Sequence, residues 1–167
     1  MHAKLEPFPE PNAILIVRRS EARPHEGLGA ASDVIPRVVV EQLSGIVAET
    51  GCTLSIRDCA GDAQVIEWLG RANAMRAAFV LFDPGSAPHQ DLRYQAALAG
   101  LRMPFIEVHD DRAVAEPDLS RAGGGRARNA AVARIHGYAS QGYVMALWIA
   151  LDRLGLADRG DRYHVGT

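Results

Sequence analysis

Two histidines follow short apolar segments at well-separated points of the chain. His89 ends the segment FDPGSAPH that begins at Phe82, and His109 ends the segment PFIEVH that begins at Pro104. Each apolar run is typical of a buried strand that opens into a loop. Ligands bind at the carboxyl ends of the strands in open parallel sheets, and two imidazoles there can supply a proton donor and an orienting donor near neutral pH. His89 and His109 therefore define the first site hypothesis.

Apolar segments of strand length alternate with amphipathic helical segments, and these elements would position the two histidines. Strands are predicted over residues 13–17, 53–56, 78–82, 105–108 and 131–135, and helices over residues 34–50, 62–73, 90–101 and 140–154. The polar stretch 110–128 predicts a long loop. The pattern favours an α/β fold with a five-stranded parallel sheet covered on both faces, a flavodoxin-like three-layer sandwich.

Length and charge limit the classes of protein. The chain of 167 residues suits a single domain over 1–167, with a core at about 13–154 and flexible ends at 1–11 and 157–167. A net charge of -2 gives no electrostatic argument for binding nucleic acid or a membrane surface. No apolar run is long enough for a membrane span, and no signal segment opens the chain. We therefore expect a cytoplasmic protein without nucleic-acid or membrane partners.

Several short motifs follow one another in order along most of the chain. They are ETG at 49–51, RDC at 57–59, DAQVIEWL at 62–69, DPGS with PH at 83–89, PFIEVH at 104–109 and QGYVMAL at 141–147. Over about residues 13–154 the chain resembles the type II 3-dehydroquinate dehydratases, in which the last three read Asn-Pro-Gly-Ala with Thr-His, Pro-Val-Glu-Val-His and Gln-Gly-Tyr-Leu-Leu-Ala-Leu. The resemblance implies a flavodoxin-like fold and a homo-oligomer, either a trimer or a dodecamer built from trimers.

The resemblance also implies a reaction and roles for individual residues. Members of the family remove water from a cyclic hydroxy-ketone acid through an enolate, without a cofactor, by acid–base catalysis and stabilisation of the oxyanion. On this likeness His109 matches the general acid and His89 a substrate-binding histidine. Asp83 and Ser86 fall in a substrate-binding motif. Asp62 falls where the family carries a glutamate near these imidazoles, a position from which it can orient one of them.

The catalytic base of the family has no counterpart of its own type here. In the family a lid tyrosine, activated by an arginine, takes the substrate proton, but no tyrosine occurs between Met1 and Tyr94. An asparagine after strand one, which in the family holds a water against the enolate, is replaced within the sequence RRSE at residues 18–21. The candidate replacements for the base are titratable side chains of the rim segments: Glu21, His25 and Asp111.

Two carboxylates change the charge of the substrate position. Asp83 replaces a substrate-binding asparagine of the family, and Asp111 replaces a serine two positions after His109. Like charges at about 4 Å cost on the order of 1–4 kcal/mol in a partly solvated site, so these residues disfavour an acidic substrate. Arg19, at the end of strand one, and Arg121, next to the position of a family arginine, are candidates for binding an anionic group elsewhere.

Each candidate also has a purely structural interpretation, and these interpretations remain open at this point. They are strand-end hydrogen bonds for His89 and His109, a helix cap for Asp62, a turn for Asp83, and solvated loop positions for Arg18 and Arg19.

Three functions follow, all with a small molecule as partner. The first, which we favour, is a diverged enzyme of the lyase, isomerase or cyclase class that keeps His109 and acts on a small oxygenated substrate other than 3-dehydroquinate. The second is a catalytically inactive homologue with a binding, regulatory or structural role. The third is a true 3-dehydroquinate dehydratase with an unusual lid.

Overall fold

A single parallel sheet organises the computed structural model of the protein, which describes residues 12–20, 34–85, 92–109 and 131–157. Its strands are β1 (Ala13–Arg19), β2 (Thr53–Cys59), β3 (Phe79–Asp83), β4 (Phe105–Val108) and β5 (Ala133–Ile135), in the order β2-β1-β3-β4-β5. The helices are α1 (Arg37–Ala48), α2 (Asp62–Ala74), α3 (Leu92–Ala99) and α4 (Gln141–Arg153). All neighbouring strands run parallel, so the predicted flavodoxin-like fold is confirmed.

The two faces of the sheet are buried under different helix pairs. Successive strand residues point to opposite faces, so in β1 Ile14 and Ile16 pack with α1 and α4, whereas Leu15 and Val17 pack with α2 and α3. Both faces are therefore apolar, as the continuous hydrophobic runs of the strands predict. Among the described residues, no helix is long and apolar enough to cross a membrane.

Strand β1 is two residues longer than its apolar run. Arg18 and Arg19 continue the ladder by pairing with Asp58 and Cys59 of β2, and Arg18 also pairs with Asp83 of β3. The prediction that Arg18 is a solvated loop residue is therefore wrong, because its side chain is enclosed between two acidic neighbours and only 5% of the residue is exposed. The helix boundaries differ from the predicted ones by at most three residues, as is usual for boundaries that are predicted from sequence.

The two cysteines are small core residues. Cys52 and Cys59 are both buried and neither forms a disulfide, as expected for reduced thiols. Burial and the nearby carboxylate of Asp58 raise the pKa of the Cys59 thiol, although the Arg57 guanidinium opposes this shift.

A tight turn after β3 sets the shape of the carboxyl edge of the sheet. The backbone N–H of Gly85 donates to Oδ1 of Asp83 at 2.8 Å, which confirms the predicted turn at Asp83. Gly85 has a φ of +62°, and a Cβ atom there would lie 2.9 Å from the backbone oxygen of Arg19. The close approach of the β3 turn to the end of β1 therefore requires glycine.

The predicted flexible ends lie almost entirely outside the described residues, and the whole predicted loop 110–128 lies outside them too. The described chain resumes at residue 131, shortly before β5, and stops at residue 157, after α4.

Replacing Gly85 with alanine should destabilise the fold by about 1–3 kcal/mol, because the residue combines a left-handed backbone with a contact to main-chain atoms that cannot move away cheaply. Gly70→Ala in α2 is the matched control, since nothing lies within 4 Å of its added Cβ. That change should be neutral or stabilising by about 0.5–1 kcal/mol. Urea unfolding of both variants measures the difference, and equal effects would contradict the turn geometry.

Candidate active site

Polar side chains form three clusters at the carboxyl edge of the sheet. We call them the His109 cluster (Glu107, His109, Arg134 and His136), the Arg18 cluster (Arg18, Asp58, Asp83 and Tyr143) and the Asp62 cluster (Arg19, Asp62, Arg93 and Tyr94). The Arg18 cluster lies on the sheet face covered by α1 and α4, and the Asp62 cluster lies where α2 and α3 begin.

His109 is a buried imidazole held by a carboxylate. It follows the last residue of β4, is 5% exposed, and its backbone N–H donates to the Ile135 oxygen at 2.9 Å. Its Nε2 lies 3.0 Å from Oε1 of Glu107, and Arg134 donates from Nε to Oε2 of the same carboxylate at 3.0 Å. The His136 ring stacks on the His109 ring with centroids 4.3 Å apart. The imidazole is thus contacted both at one nitrogen and on one face.

Glu107 fixes the protonation pattern of this imidazole. Burial by itself favours the neutral acid, but the hydrogen bond with His109 and the charges of His109 and Arg134 outweigh burial and lower the pKa of Glu107 to about 2. The carboxylate is therefore ionised at neutral pH and can accept a hydrogen bond from Nε2–H of His109. A histidine in this arrangement can act as a general acid or base through Nδ1.

The Arg18 cluster is a charge network between three strands and a helix, in which Arg18, Asp83 and Tyr143 are buried and Asp58 is exposed. Arg18 donates from Nη1 to Oδ1 of Asp58 and from Nε to the Tyr143 hydroxyl, both at 3.1 Å, and its Nε lies 3.8 Å from Oδ2 of Asp83. The Tyr143 hydroxyl donates to Asp83 in a short hydrogen bond. Burial lowers the pKa of Arg18, but Tyr143 and the two carboxylates outweigh burial, so the net shift is upward. The charge of Asp83 is therefore partly compensated within the protein.

The Asp62 cluster joins the ends of three elements. The carboxylate of Asp62, the first residue of α2, accepts from Arg19 Nε at 2.8 Å, from Arg93 Nη2 at 2.8 Å and from the Tyr94 hydroxyl at 2.5 Å. The hydrogen bond from Tyr94 lowers the pKa of Asp62, burial opposes it, and the two arginines lower it further. The helix-cap interpretation of Asp62 is wrong, because the N-cap is Gly61 and the carboxylate makes no cap hydrogen bond.

Comparison with known protein families identifies the chain. A family model described as dehydroquinase class II matches residues 33–151. The chain belongs to the class II dehydroquinase family. It is 30% identical to a 3-dehydroquinate dehydratase of Alkalilimnicola ehrlichii over 126 residues, which cover 75% of this chain and 79% of that relative. It is 27% identical to a 3-dehydroquinate dehydratase of Nitrosomonas europaea over 143 residues, covering 86% and 93% of the two chains.

Solved structures of class II dehydroquinases share the fold. The type II dehydroquinase from Propionibacterium acnes superposes with a TM-score of 0.59 at 23% identity, covering 84% of this chain and 97% of that one. A 3-dehydroquinate dehydratase-like protein from Bifidobacterium longum gives a TM-score of 0.55 at 18% identity, covering 86% and 98% of the two chains. The sequence resemblance to the dehydroquinase family is thus confirmed.

Four of the sequence-predicted site residues lie among the described residues: Arg19, Asp62, Asp83 and His109. They do not form one constellation, because each of the three clusters contains at least one of them. The carboxylate bonded to His109 is Glu107, so Asp62 does not orient this imidazole. The other predicted residues lie outside the described residues of this dehydroquinase-family chain: Glu21, His25, Ser86, His89, Asp111 and Arg121.

Several residues of the clusters were not predicted to be site residues from the sequence. Glu107 had a usable signal, because residues two apart on a strand lie on one face and Glu107 precedes His109 by two positions. Tyr143 and His136 had no local signal, since their partners are distant along the chain. Among the described residues of the chain, no group of three or more histidine, cysteine or acidic side chains is arranged to hold a metal ion.

Replacing Glu107 with glutamine should lower stability in a pH-dependent way. Because the folded-state pKa of about 2 lies below the ordinary value of 4.5, the ionised group stabilises the fold fully above about pH 4.5 and loses this effect as the pH falls towards 2. Near neutral pH the variant should be less stable by on the order of 3 kcal/mol, and the difference should shrink through that window.

Urea unfolding at a series of pH values measures this difference. Glu67→Gln is the matched control, since Glu67 pairs with Arg71 on the exposed surface of α2, where a single ion pair contributes under about 1 kcal/mol. A constant gap between wild type and the Glu107 variant from neutral pH to pH 2 would contradict the depressed pKa.

Arg18 and Asp83 should be energetically coupled. Arg18→Met should destabilise the fold by about 3–5 kcal/mol, because it leaves Asp83 charged and buried. Asp83→Asn should cost less, since Arg18 keeps Asp58 as a partner. The double variant should lose less than the sum of the single variants. The exposed pair Arg37 and Glu41 is the control, with a coupling of about 0.5 kcal/mol or less; additive effects at Arg18 and Asp83 would exclude the network.

Proposed function

We propose that this chain is a lyase-class enzyme of the class II dehydroquinase family that uses His109 as general acid on a small oxygenated substrate other than 3-dehydroquinate, without a cofactor. The observation that carries the substrate assignment is the buried carboxylate of Asp83, which stands where the family resemblance implies a substrate-binding asparagine. The retained histidine with its carboxylate partner supports the reaction class.

The charges of the three clusters support an uncharged substrate. Each of their four arginines contacts a carboxylate of the chain itself: Arg18 with Asp58 and Asp83, Arg19 and Arg93 with Asp62, and Arg134 with Glu107. A substrate carboxylate would have to compete with these internal partners. A neutral hydroxy-ketone needs only hydrogen bonds, so it fits this edge of the sheet better than an acid does.

The proposed reaction is the β-elimination of water from a hydroxy-ketone. A base removes the proton next to the carbonyl, and the electrons of that C–H bond form the enolate. As the enolate collapses to the conjugated enone, the C–O bond breaks and Nδ1–H of His109 protonates the departing hydroxyl to give water. Glu107 keeps the ring oriented through the contact at Nε2. Acid catalysis of this kind contributes on the order of 10²–10⁴-fold.

The remaining site roles are part of the same proposal. Glu21, His25 or Asp111 supplies the base, while His89, Ser86 and Arg121 contact the substrate, together with Asp83 and Arg19 at the rim. We further propose, from the family resemblance, a single-domain cytoplasmic protein that assembles as a trimer or as a dodecamer of trimers.

One observation favours a second candidate, a true 3-dehydroquinate dehydratase. Arg18 and Tyr143 partly compensate the charge of Asp83, so the repulsion of an acidic substrate is weaker than the sequence alone indicates. The curated relatives also carry the name 3-dehydroquinate dehydratase.

A matched pair of compounds separates these functions: 3-dehydroquinate and its uncharged methyl ester. We expect the ester to raise the melting temperature more than the acid does, and the ultraviolet absorbance of an enone to appear with the ester and not with the acid. His109→Gln should lower the rate of enone formation by roughly 10²-fold or more. Asp83→Asn should move the preference towards the acid, because it leaves the Arg18 cluster with less negative charge.

The other outcomes have distinct meanings. Enone formation from the acid that His109→Gln abolishes would make the chain a true dehydratase. Binding of either compound without turnover would favour the catalytically inactive homologue. No binding of either compound would exclude cyclic hydroxy-ketones of this type.

A further inference from the structure

The sheet register brings a second histidine beside the proposed acid. Strand β4 pairs with β5 so that Glu107 faces Arg134 and Val108 faces Ile135. Continuing this register by one residue places His109 beside His136, and the bond from the His109 N–H to the Ile135 oxygen holds the two chain segments together there. The ion pair and the imidazole pair are therefore two positions apart along the strands, with Val108 and Ile135 between them, and lie on the same face at the carboxyl edge of the sheet.

The two imidazoles meet face to face. Their planes differ by 7° and their centroids are 4.3 Å apart. His109 is buried, whereas His136 is exposed to solvent. A ring stacked in this way restrains rotation of its neighbour about the Cβ–Cγ bond, because any tilt brings the ring edges into contact.

The stack complements what Glu107 does. The hydrogen bond at Nε2 directs that atom towards Glu107, and contact across the ring face restrains the plane of the ring. With both contacts, Nε2 stays directed at Glu107 and Nδ1 is held in one direction.

We propose that His136 is a positioning residue that holds the plane of the His109 imidazole through ring stacking. Its importance for turnover rests on the proposed function of His109, but its effect on the ring is a property of the folded protein without any substrate. The stacked face, and not the charge of His136, carries the effect, so a phenylalanine should replace it and an alanine should not.

Nuclear magnetic resonance of ¹⁵N-histidine-labelled protein tests this directly. At about pH 8, above the ordinary histidine pKa of about 6.5, the His109 ring of wild type should show one tautomer with its proton on Nε2. The His109 signals are assigned by their absence in His109→Gln. His136→Phe should keep the single tautomer and the slowly exchanging Nε2–H signal. His136→Ala should lose that slow exchange and shift the ring nitrogens towards an average of the two tautomers.

Two results would overturn the proposal. One is an unchanged His109 spectrum in His136→Ala, and the other is the same disturbance in His136→Phe as in His136→Ala. The melting temperature of each variant shows that it is folded. If His136→Ala does not fold, His136→Gln replaces it as the variant without a ring.

A separate variant distinguishes this inference from the proposed function. Glu107→Leu, which has no acceptor, should remove the Nε2–H preference whatever His136 does, and its failure to do so would contradict the acid assignment instead of the stack. Where a substrate is turned over, His136→Ala should lower kcat by about tenfold with little change in KM, and His136→Phe should restore it, because the change affects only the transition state. A rise in KM in His136→Ala without a change in kcat would assign His136 to substrate binding and overturn the positioning role.

Discussion

Strand β1 lies between β2 and β3, and the register of these two ladders decides which charges meet at the carboxyl edge of the sheet. Arg18 faces Asp58 on one side and Asp83 on the other. The guanidinium therefore has a carboxylate on each flank, and Tyr143 from α4 completes the network from the helix layer. A slip of one residue in either ladder would send Arg18 to the opposite face and leave Asp83 buried without a counter-charge. The charge pattern and the strand register thus support one another.

The register of β4 and β5 likewise brings opposite charges together at the carboxyl edge of the sheet. Glu107 faces Arg134 across β4 and β5, and this ion pair, together with His109, keeps the carboxylate ionised despite its burial. The protein thereby satisfies its own charges before any ligand arrives. Under the proposed function, recognition of a substrate would depend on shape and hydrogen bonding more than on ion pairing, so this class II dehydroquinase-family chain would prefer an uncharged molecule.

The sequence predicts the fold much better than it predicts the candidate site. Strands β3 and β4 and helix α4 follow from apolar periodicity, which depends only on neighbouring residues. Strand β1 is predicted too short, because Arg18 and Arg19 are polar and the acidic partners of Arg18 on β2 and β3 are about 40 and 65 residues away in the chain. Tyr143 could not be placed beside Asp83 without the packing of α4 on the sheet.

Strand β5 has three residues and lies at the edge of the sheet. Short edge strands are the parts of a sheet that open most readily in local unfolding. Arg134 belongs to this strand and His136 follows it, so one opening event would remove the counter-ion of Glu107 and the stacking partner of His109 at the same time. The proton-donating geometry would then exist only while the edge strand is closed, and slow amide exchange of β5 would report the fraction of molecules competent for chemistry.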